Sequence, residues 1–158
     1  MSVTVDIFRA WRAPRQLLRA KLDQGLREDR ALALIMGAGV LLFIAQWPVA
    51  LRTSRLDPSI PLDARLGGSL LACVFFLPLI AYTVALITYG VSKLFGGRGT
   101  AYGARLALFW AFLAVSPVML LQGLLTGFLG HSAIGTIVQI IAGMGFLWMW
   151  IQMLIEAA

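Results

Sequence analysis

Long stretches without formal charge alternate along this chain with short stretches rich in arginine. Residues 31–51, 66–92 and 106–155 contain no Asp, Glu, Lys or Arg, which gives uncharged runs of 21, 27 and 50 residues. A membrane-spanning helix needs about 20 apolar residues, and a charge inside hydrocarbon costs roughly 3 kcal/mol or more. The first two runs therefore predict one transmembrane helix each, and the third is long enough for two.

The third run is divided by small and polar residues near its middle. These residues predict a tight turn, and they are Gly127, Gly130, His131, Ser132 and Gly135. The predicted spans are about 31–51, 66–92, 106–128 and 134–155. The fold class is thus an all-α polytopic membrane protein with a four-transmembrane-helix bundle over residues 31–158. The main alternative is a re-entrant third segment broken at Pro117.

Composition and charge agree with a membrane protein. Hydrophobic residues make up 60% of the chain and charged residues 13%, against about 25% charged in soluble proteins. The net charge of +6 does not indicate nucleic acid, because the cations flank apolar spans, where anionic lipid head groups are the expected partners. Ten of the 13 basic residues lie before residue 31 or between residues 93 and 105. This asymmetry predicts a multi-pass protein of the bacterial inner membrane with both termini in the cytoplasm.

Residues 1–30 are predicted to form a separate amphipathic N-terminal segment. Its apolar residues recur at helical spacing, at Ile7, Trp11, Leu18, Leu22 and Leu26, and basic residues occupy the other side, at Arg9, Arg12, Arg19, Arg27 and Arg30. Pro14 favours two short helices over one, because proline fits the first turn of a new helix. The pattern is not that of a signal peptide, and it predicts an interfacial helical segment lying flat on the membrane surface. Two further interpretations of this segment remain open and are compatible with each other. It is a docking surface for a partner, or its basic residues only satisfy the positive-inside rule.

The spans contain few polar residues. Four glutamines can bond across helices, at Gln46, Gln122, Gln139 and Gln152. Three prolines predict a kink or a local opening, at Pro48, Pro78 and Pro117. Gly123 with Gly127, and Ala107 with Ala111, form small-xxx-small pairs, which are candidates for close helix packing.

No catalytic or cofactor-binding motif is evident. All seven acidic residues are predicted in loops or at chain ends, and the single His and Cys73 are too few for a zinc site. Neither a P-loop nor a GxSxG motif occurs. The Gly96-Gly97-Arg98-Gly99-Thr100 run favours a flexible basic turn over a phosphate cradle, because it follows no strand and lacks a GK[ST] ending. We therefore expect neither an enzyme nor a cofactor.

The same loop carries a family resemblance. Lys93-Leu94-Phe95 followed by Gly96-Gly97-Arg98-Gly99-Thr100, an aromatic at Tyr102 and a span with Pro117 resembles the Yip (Ypt-interacting protein) family. The stretch from Asp6-Ile7 to Arg15, and Arg27-Glu28-Asp29-Arg30 before the first span, resemble short alphaproteobacterial members. The family usually has five spans, whereas the 58 residues after Thr100 suffice here for two more.

The resemblance implies a membrane adaptor, since eukaryotic members engage small GTPases in vesicle traffic and no family-wide catalytic residues exist. The expected function is a non-catalytic inner-membrane adaptor or scaffold, an accessory or assembly subunit that contacts other integral membrane proteins. The alternative is a small permease or lipid-handling protein. Transporters generally carry a charged residue within a span, and none is present here.

Overall fold

The computed structural model describes residues 2–158, and helices are the only regular elements in this part of the chain. Two short helices come first, α1 (Val3–Arg12) and α2 (Pro14–Leu22). Four long helices follow, α3 (Glu28–Leu56), α4 (Leu62–Leu94), α5 (Ala101–Leu129) and α6 (Ala133–Ala157). Each of the four is long and apolar enough to cross a membrane, which confirms the all-α polytopic fold class.

The long helices extend beyond the predicted spans by two to five residues at most ends. Glu28 and Arg55, for example, lie inside α3 although they are outside the uncharged run. Charged residues end a hydrophobic stretch without ending a helix, so the predicted boundary at residue 31 falls three residues after α3 begins. The real ends have local causes. The hydroxyls of Thr100 and Ser132 accept hydrogen bonds from the N–H groups of Gly103 and Gly135, both at 3.1 Å, and so cap α5 and α6.

Helix α5 is the centre of the bundle. Nearly every residue from Tyr102 to Ser116 is buried, because α3, α4, α6 and the two short helices all pack around this half of α5. By contrast, large apolar side chains of α4 and α6 are exposed along the length of both helices. A surface of this kind is stable only in contact with lipid or another membrane protein.

Proline changes one helix and leaves the others continuous. Residues Leu71–Phe76 of α4 form a π-helical turn directly before Pro78. The wider turn relieves the clash between the proline ring and the carbonyl four residues earlier. Helix α5 continues through Pro117, so the alternative of a third segment broken at this residue is wrong.

The two ends of the bundle differ in which segments they bring together. At one end, Arg105 of α5 pairs with Glu28 of α3, and Gly99 lies against the backbone of Ala157. At the other end, the Arg52 guanidinium lies against Gly130, and residues 57–61 form a short loop. The Ser59 hydroxyl donates to Asp57 at 2.6 Å and lowers the pKa of that carboxyl below its usual value.

Candidate functional site

Helices α1 and α2 form an antiparallel hairpin, which we call the N-terminal hairpin (residues 3–22). Its turn lies at Ala13, and Pro14 begins α2, as the sequence predicts for two short helices. An ion pair closes the hairpin, with Lys21 Nζ 2.6 Å from the Oδ2 atom of Asp6. Asp6 is only 2% exposed, and Lys21 also lies 5.2 Å above the ring of Trp110. The cation therefore neutralises a buried carboxylate and contacts an aromatic face.

The hairpin docks on α5 and α6 through its apolar side. The indole Nε1 of Trp11 donates to the carbonyl oxygen of Ala114 at 2.8 Å. The Trp11 ring fills the space beside Gly145, where a Cβ would overlap it. Leu17 and Leu18 are fully buried in the same core cluster. The hairpin is thus part of the bundle and not a separate unit.

The docked hairpin runs along the bundle rather than across its end. Arg15 Nε donates to Gln152 of α6 at 2.6 Å, and Arg19 Nε donates to Glu156 at 2.7 Å, so α2 runs beside α6 in the same direction. Trp11 reaches Gly145, which is 11 residues and about 16 Å from Glu156 along the helix. Exposed apolar residues of α6 occupy this same stretch, at Leu147, Trp148 and Ile151. The hairpin tip therefore lies at the level of the apolar surface of the bundle.

This placement corrects the interpretation of the N-terminal apolar strip. Ile7, Trp11, Leu18 and Leu22 pack against the core cluster, so they face α5 and α6 instead of lipid or a partner. Leu26 is not on a helix at all, since it lies in the loop before α3 and is 70% exposed. The strip faces inward because α5 and α6 themselves present an apolar surface beside Gly145. Covering that surface removes apolar area from water just as lipid would.

The opposite side of the hairpin carries arginines. We define the basic outer face as four exposed residues, Arg9, Arg12, Arg15 and Arg19. Arg15 and Arg19 have partners on α6, as described above. Among the described residues 2–158, Arg9 and Arg12 form no ion pair. They lie in α1 close to the hairpin tip, where their charge faces outward without a carboxylate from this chain.

The predicted packing glycines lie where two helices touch. A Cβ on Gly123 would overlap the Ala45 carbonyl, and one on Gly127 would overlap Pro48, so both positions hold α5 directly against α3. Ala107 and Ala111 are fully buried in the central half of α5. Small side chains at these positions let the backbones approach closely.

The glycine-rich turn is an ordered connection. Gly96 has φ +81°, a conformation that ends α4 and that other residues rarely adopt. The Gly97 N–H donates to the Ser92 carbonyl at 2.7 Å, and Thr100 caps α5. Arg98 is exposed, so this turn presents one cation at the end of the bundle that also holds Ala157.

Sequence reasoning missed several residues that position the hairpin. Asp6 lies in helix α1 and not in a loop or at a chain end as predicted, and it pairs across the turn with Lys21, 15 residues further along the chain. Leu17 directly precedes Leu18 and belongs to the same buried face. The sequence does not mark Gly145 as important. Its role is to leave space for the Trp11 ring, and only the fold brings that ring beside it.

Comparison with known proteins gives no match to a family model, to a curated protein or to a solved structure. Within residues 2–158, no three His, Cys, Asp or Glu side chains group closely enough to hold a metal ion.

Proposed function

We propose that this protein is a non-catalytic membrane adaptor that binds another integral membrane protein through the basic outer face of its N-terminal hairpin. The observation that carries the proposal is the position of Arg9 and Arg12. Both are exposed near the tip of a hairpin that lies beside the apolar stretch of α6. Each charge left in hydrocarbon costs roughly 3 kcal/mol or more, so this face needs polar or anionic groups next to it.

Carboxylates of a second membrane protein meet this need best. Asp6 pairs with Lys21, and Glu156 pairs with Arg19. Asp23 lies at the C-terminal end of α2, away from the tip, so no free acid of the described residues lies at the tip beside Arg9 and Arg12. Phe8 lies next to Arg9 and is 72% exposed. Arginine and aromatic residues together are typical of the central part of protein interfaces. A partner helix with acidic residues at matching depth would cover both.

The alternative, a small permease, requires polar groups that converge on a path through the bundle. The four glutamines do not converge. Gln46 and Gln139 are exposed on the outside of α3 and α6. Gln122 bonds to Thr126 one turn further along its own helix, and Gln152 accepts a hydrogen bond from Arg15. This arrangement favours the adaptor.

The proposed setting is the bacterial inner membrane with both termini in the cytoplasm. Ten of the 13 basic residues lie in residues 1–30 or in residues 93–105. The second of these segments lies at the end of the bundle that holds Ala157, and the hairpin within the first is docked beside the same end of α6. The adaptor role is also what the resemblance to the Yip family implies.

A co-purification experiment tests the proposal. The full chain is extracted from native membranes in mild detergent as wild type, as Arg9→Gln/Arg12→Gln and as the control Arg55→Gln. Arg55 is also exposed but lies at the opposite end of α3. We expect an integral membrane protein to co-purify in stoichiometric amount with the wild type and the control and to be lost from the double variant. Equal recovery with all three chains would refute the proposed interface. Solute flux in proteoliposomes that depends on one of the four glutamines would favour the permease.

A further inference from the structure

A cavity of about 530 Å³ lies between the N-terminal hairpin, α3 and α5. This volume is within the usual range for small-molecule sites, about 300–1,000 Å³. The cavity is separate from the basic outer face, since its walls come from the inner side of the hairpin. Nothing in the proposed adaptor role requires it.

The mouth of the cavity is cationic. Lys21, Arg27 and Arg30 line it, and Asp6 is the one carboxylate in its wall. Asp6 pairs with Lys21 at 2.6 Å, and Arg27 Nε lies 3.5 Å from an oxygen of Asp29, an exposed carboxylate outside the cavity wall. Arg30 is therefore the cation of the mouth that has no acidic partner among the described residues. Arg30 Nη1 donates to Gln24 at 2.9 Å, so its guanidinium is held at the rim and keeps further donors.

The cavity becomes apolar with depth. On α3 its wall follows one helix face from Arg30 through Leu34 to Gly37, a distance of about 10 Å. On α5 the wall runs from Tyr102 inward to Leu113, about 16 Å. A cationic mouth followed by an apolar interior matches the chemistry of an anionic amphiphile, and it does not suit a ligand that is polar throughout.

Trp110 is part of this wall and is only 3% exposed. Its Nε1 atom has no hydrogen-bond partner among the described residues and is buried away from the open space, so a ligand in the cavity meets ring carbons and not this donor. The indole therefore adds apolar surface to the interior of the cavity.

We propose that this cavity binds one anionic phospholipid, with its phosphate at Arg27 and Arg30 and an acyl chain along Leu34, Gly37 and Leu113. The bound lipid would fill the space beneath the hairpin and hold it against α3. The proposal does not rest on the adaptor function. A lipid could occupy the cavity whether or not a partner binds the outer face.

Native mass spectrometry of the purified full chain tests this proposal. The protein in neutral detergent is titrated with phosphatidylglycerol, with phosphatidylcholine of the same acyl chains, and with inorganic phosphate as competitor. We expect one tightly retained phosphatidylglycerol, bound at least about fivefold more tightly than phosphatidylcholine. Inorganic phosphate should displace little of it, because phosphate contacts only the mouth. Equal retention of the two lipids, or full displacement by phosphate, would overturn the proposal.

Two variants locate the bound lipid. Arg27→Gln/Arg30→Gln should weaken phosphatidylglycerol binding at least roughly fivefold, the effect expected from loss of the unpaired Arg30 alone, with Arg55→Gln as the control at the far end. Gly37→Leu should fill the inner part of the cavity, since a Cβ there meets no atom within 4 Å. Gly90→Leu is its matched control, because Gly90 has equally open space but lies outside the cavity. Wild-type retention in both cavity variants would contradict the assignment. The arginine pair is at the surface, so it gives this answer even if Gly37→Leu does not fold.

Discussion

The indole Nε1 of Trp11 donates a 2.8 Å hydrogen bond to the carbonyl oxygen of Ala114, 103 residues further along the chain. This bond joins the tip of the N-terminal hairpin to the most buried half of α5. With Gly145 providing the space for the ring, it places the hairpin along the bundle. It also determines which face of the hairpin points outward, and therefore where the arginines lie.

Docking of the hairpin should depend on Gly145. We expect Gly145→Leu to displace Trp11, because even a Cβ at this position overlaps the ring, and overpacking typically costs about 1–3 kcal/mol. The fully buried Leu18, changed to Cys in a Cys73→Ala background, reports on docking through its rate of maleimide labelling. Labelling should be slow and should rise about tenfold with Gly145→Leu. Gly143→Leu, where the space is open, is the matched control. Equal rates for both leucine variants would show that the Trp11 contact does not hold the hairpin.

The crossing of α3 and α5 should depend on Gly123 and Gly127. Leucine at either position has to push the helices apart, since the nearest atoms belong to the backbone of Ala45 and to Pro48. We expect a loss of stability of about 3 kcal/mol or more, which exceeds ordinary overpacking. Thermal unfolding in detergent, followed by intrinsic fluorescence, measures it. Gly90→Leu should unfold at the wild-type temperature, and a similar temperature for Gly123→Leu would contradict the close crossing.

The Asp6–Lys21 pair should matter far more than the Arg19–Glu156 pair. Asp6 is 2% exposed, and removal of Lys21 leaves its charge buried without a partner, at a cost of about 3–5 kcal/mol. Arg19 has a side chain that is 72% exposed, so Arg19→Gln should cost less than about 1 kcal/mol. The free energy of unfolding of Lys21→Met and Arg19→Gln gives the comparison. Asp6→Asn and Asp6→Asn/Lys21→Met complete the cycle for this pair, and the double variant should recover part of the loss seen with Lys21→Met. A double variant as unstable as the sum of Asp6→Asn and Lys21→Met would refute the coupling.

Topology is open to direct labelling. Cysteines at Ser59 and Ser132, introduced separately in a Cys73→Ala background, should react with an impermeant reagent added from the periplasm. A cysteine at Arg98 should react only from the cytoplasm. These expectations follow from the proposed orientation, which places the ten basic residues of the N-terminal segment and of residues 93–105 on the cytoplasmic side. Labelling of Ser59 or Ser132 only from the cytoplasm would reverse the orientation.

The four spans could be predicted from sequence because charge and hydropathy act locally. The turn around Gly130 and Ser132 was predicted correctly from small residues alone, and Ser132 caps α6 there. Helix ends were less accurate, because residues such as Glu28 and Arg105 form an ion pair at the bundle end and remain helical.

The hairpin shows where sequence reasoning ends. Its helical periodicity predicted an apolar strip, and the strip exists, but periodicity cannot say what covers it. Lipid and the surface formed by α5 and α6 are equally apolar, and only the long-range contact of Trp11 with Ala114 and Gly145 decides between them. The cavity could not be predicted from the sequence either. Arg30 and Trp110 both line it, but they are 80 residues apart in the chain and come together only in the fold.

The most direct test of the adaptor proposal is photo-crosslinking from the basic outer face in native membranes. Benzoylphenylalanine replaces Phe8, which is 72% exposed beside Arg9, and in a control it replaces Phe75 of α4, which is 61% exposed. The account predicts a crosslink from position 8 to one integral membrane protein, lost on Arg9→Glu/Arg12→Glu, and no such protein from position 75. A crosslink at position 8 that survives the charge reversal, or none at all, would contradict it.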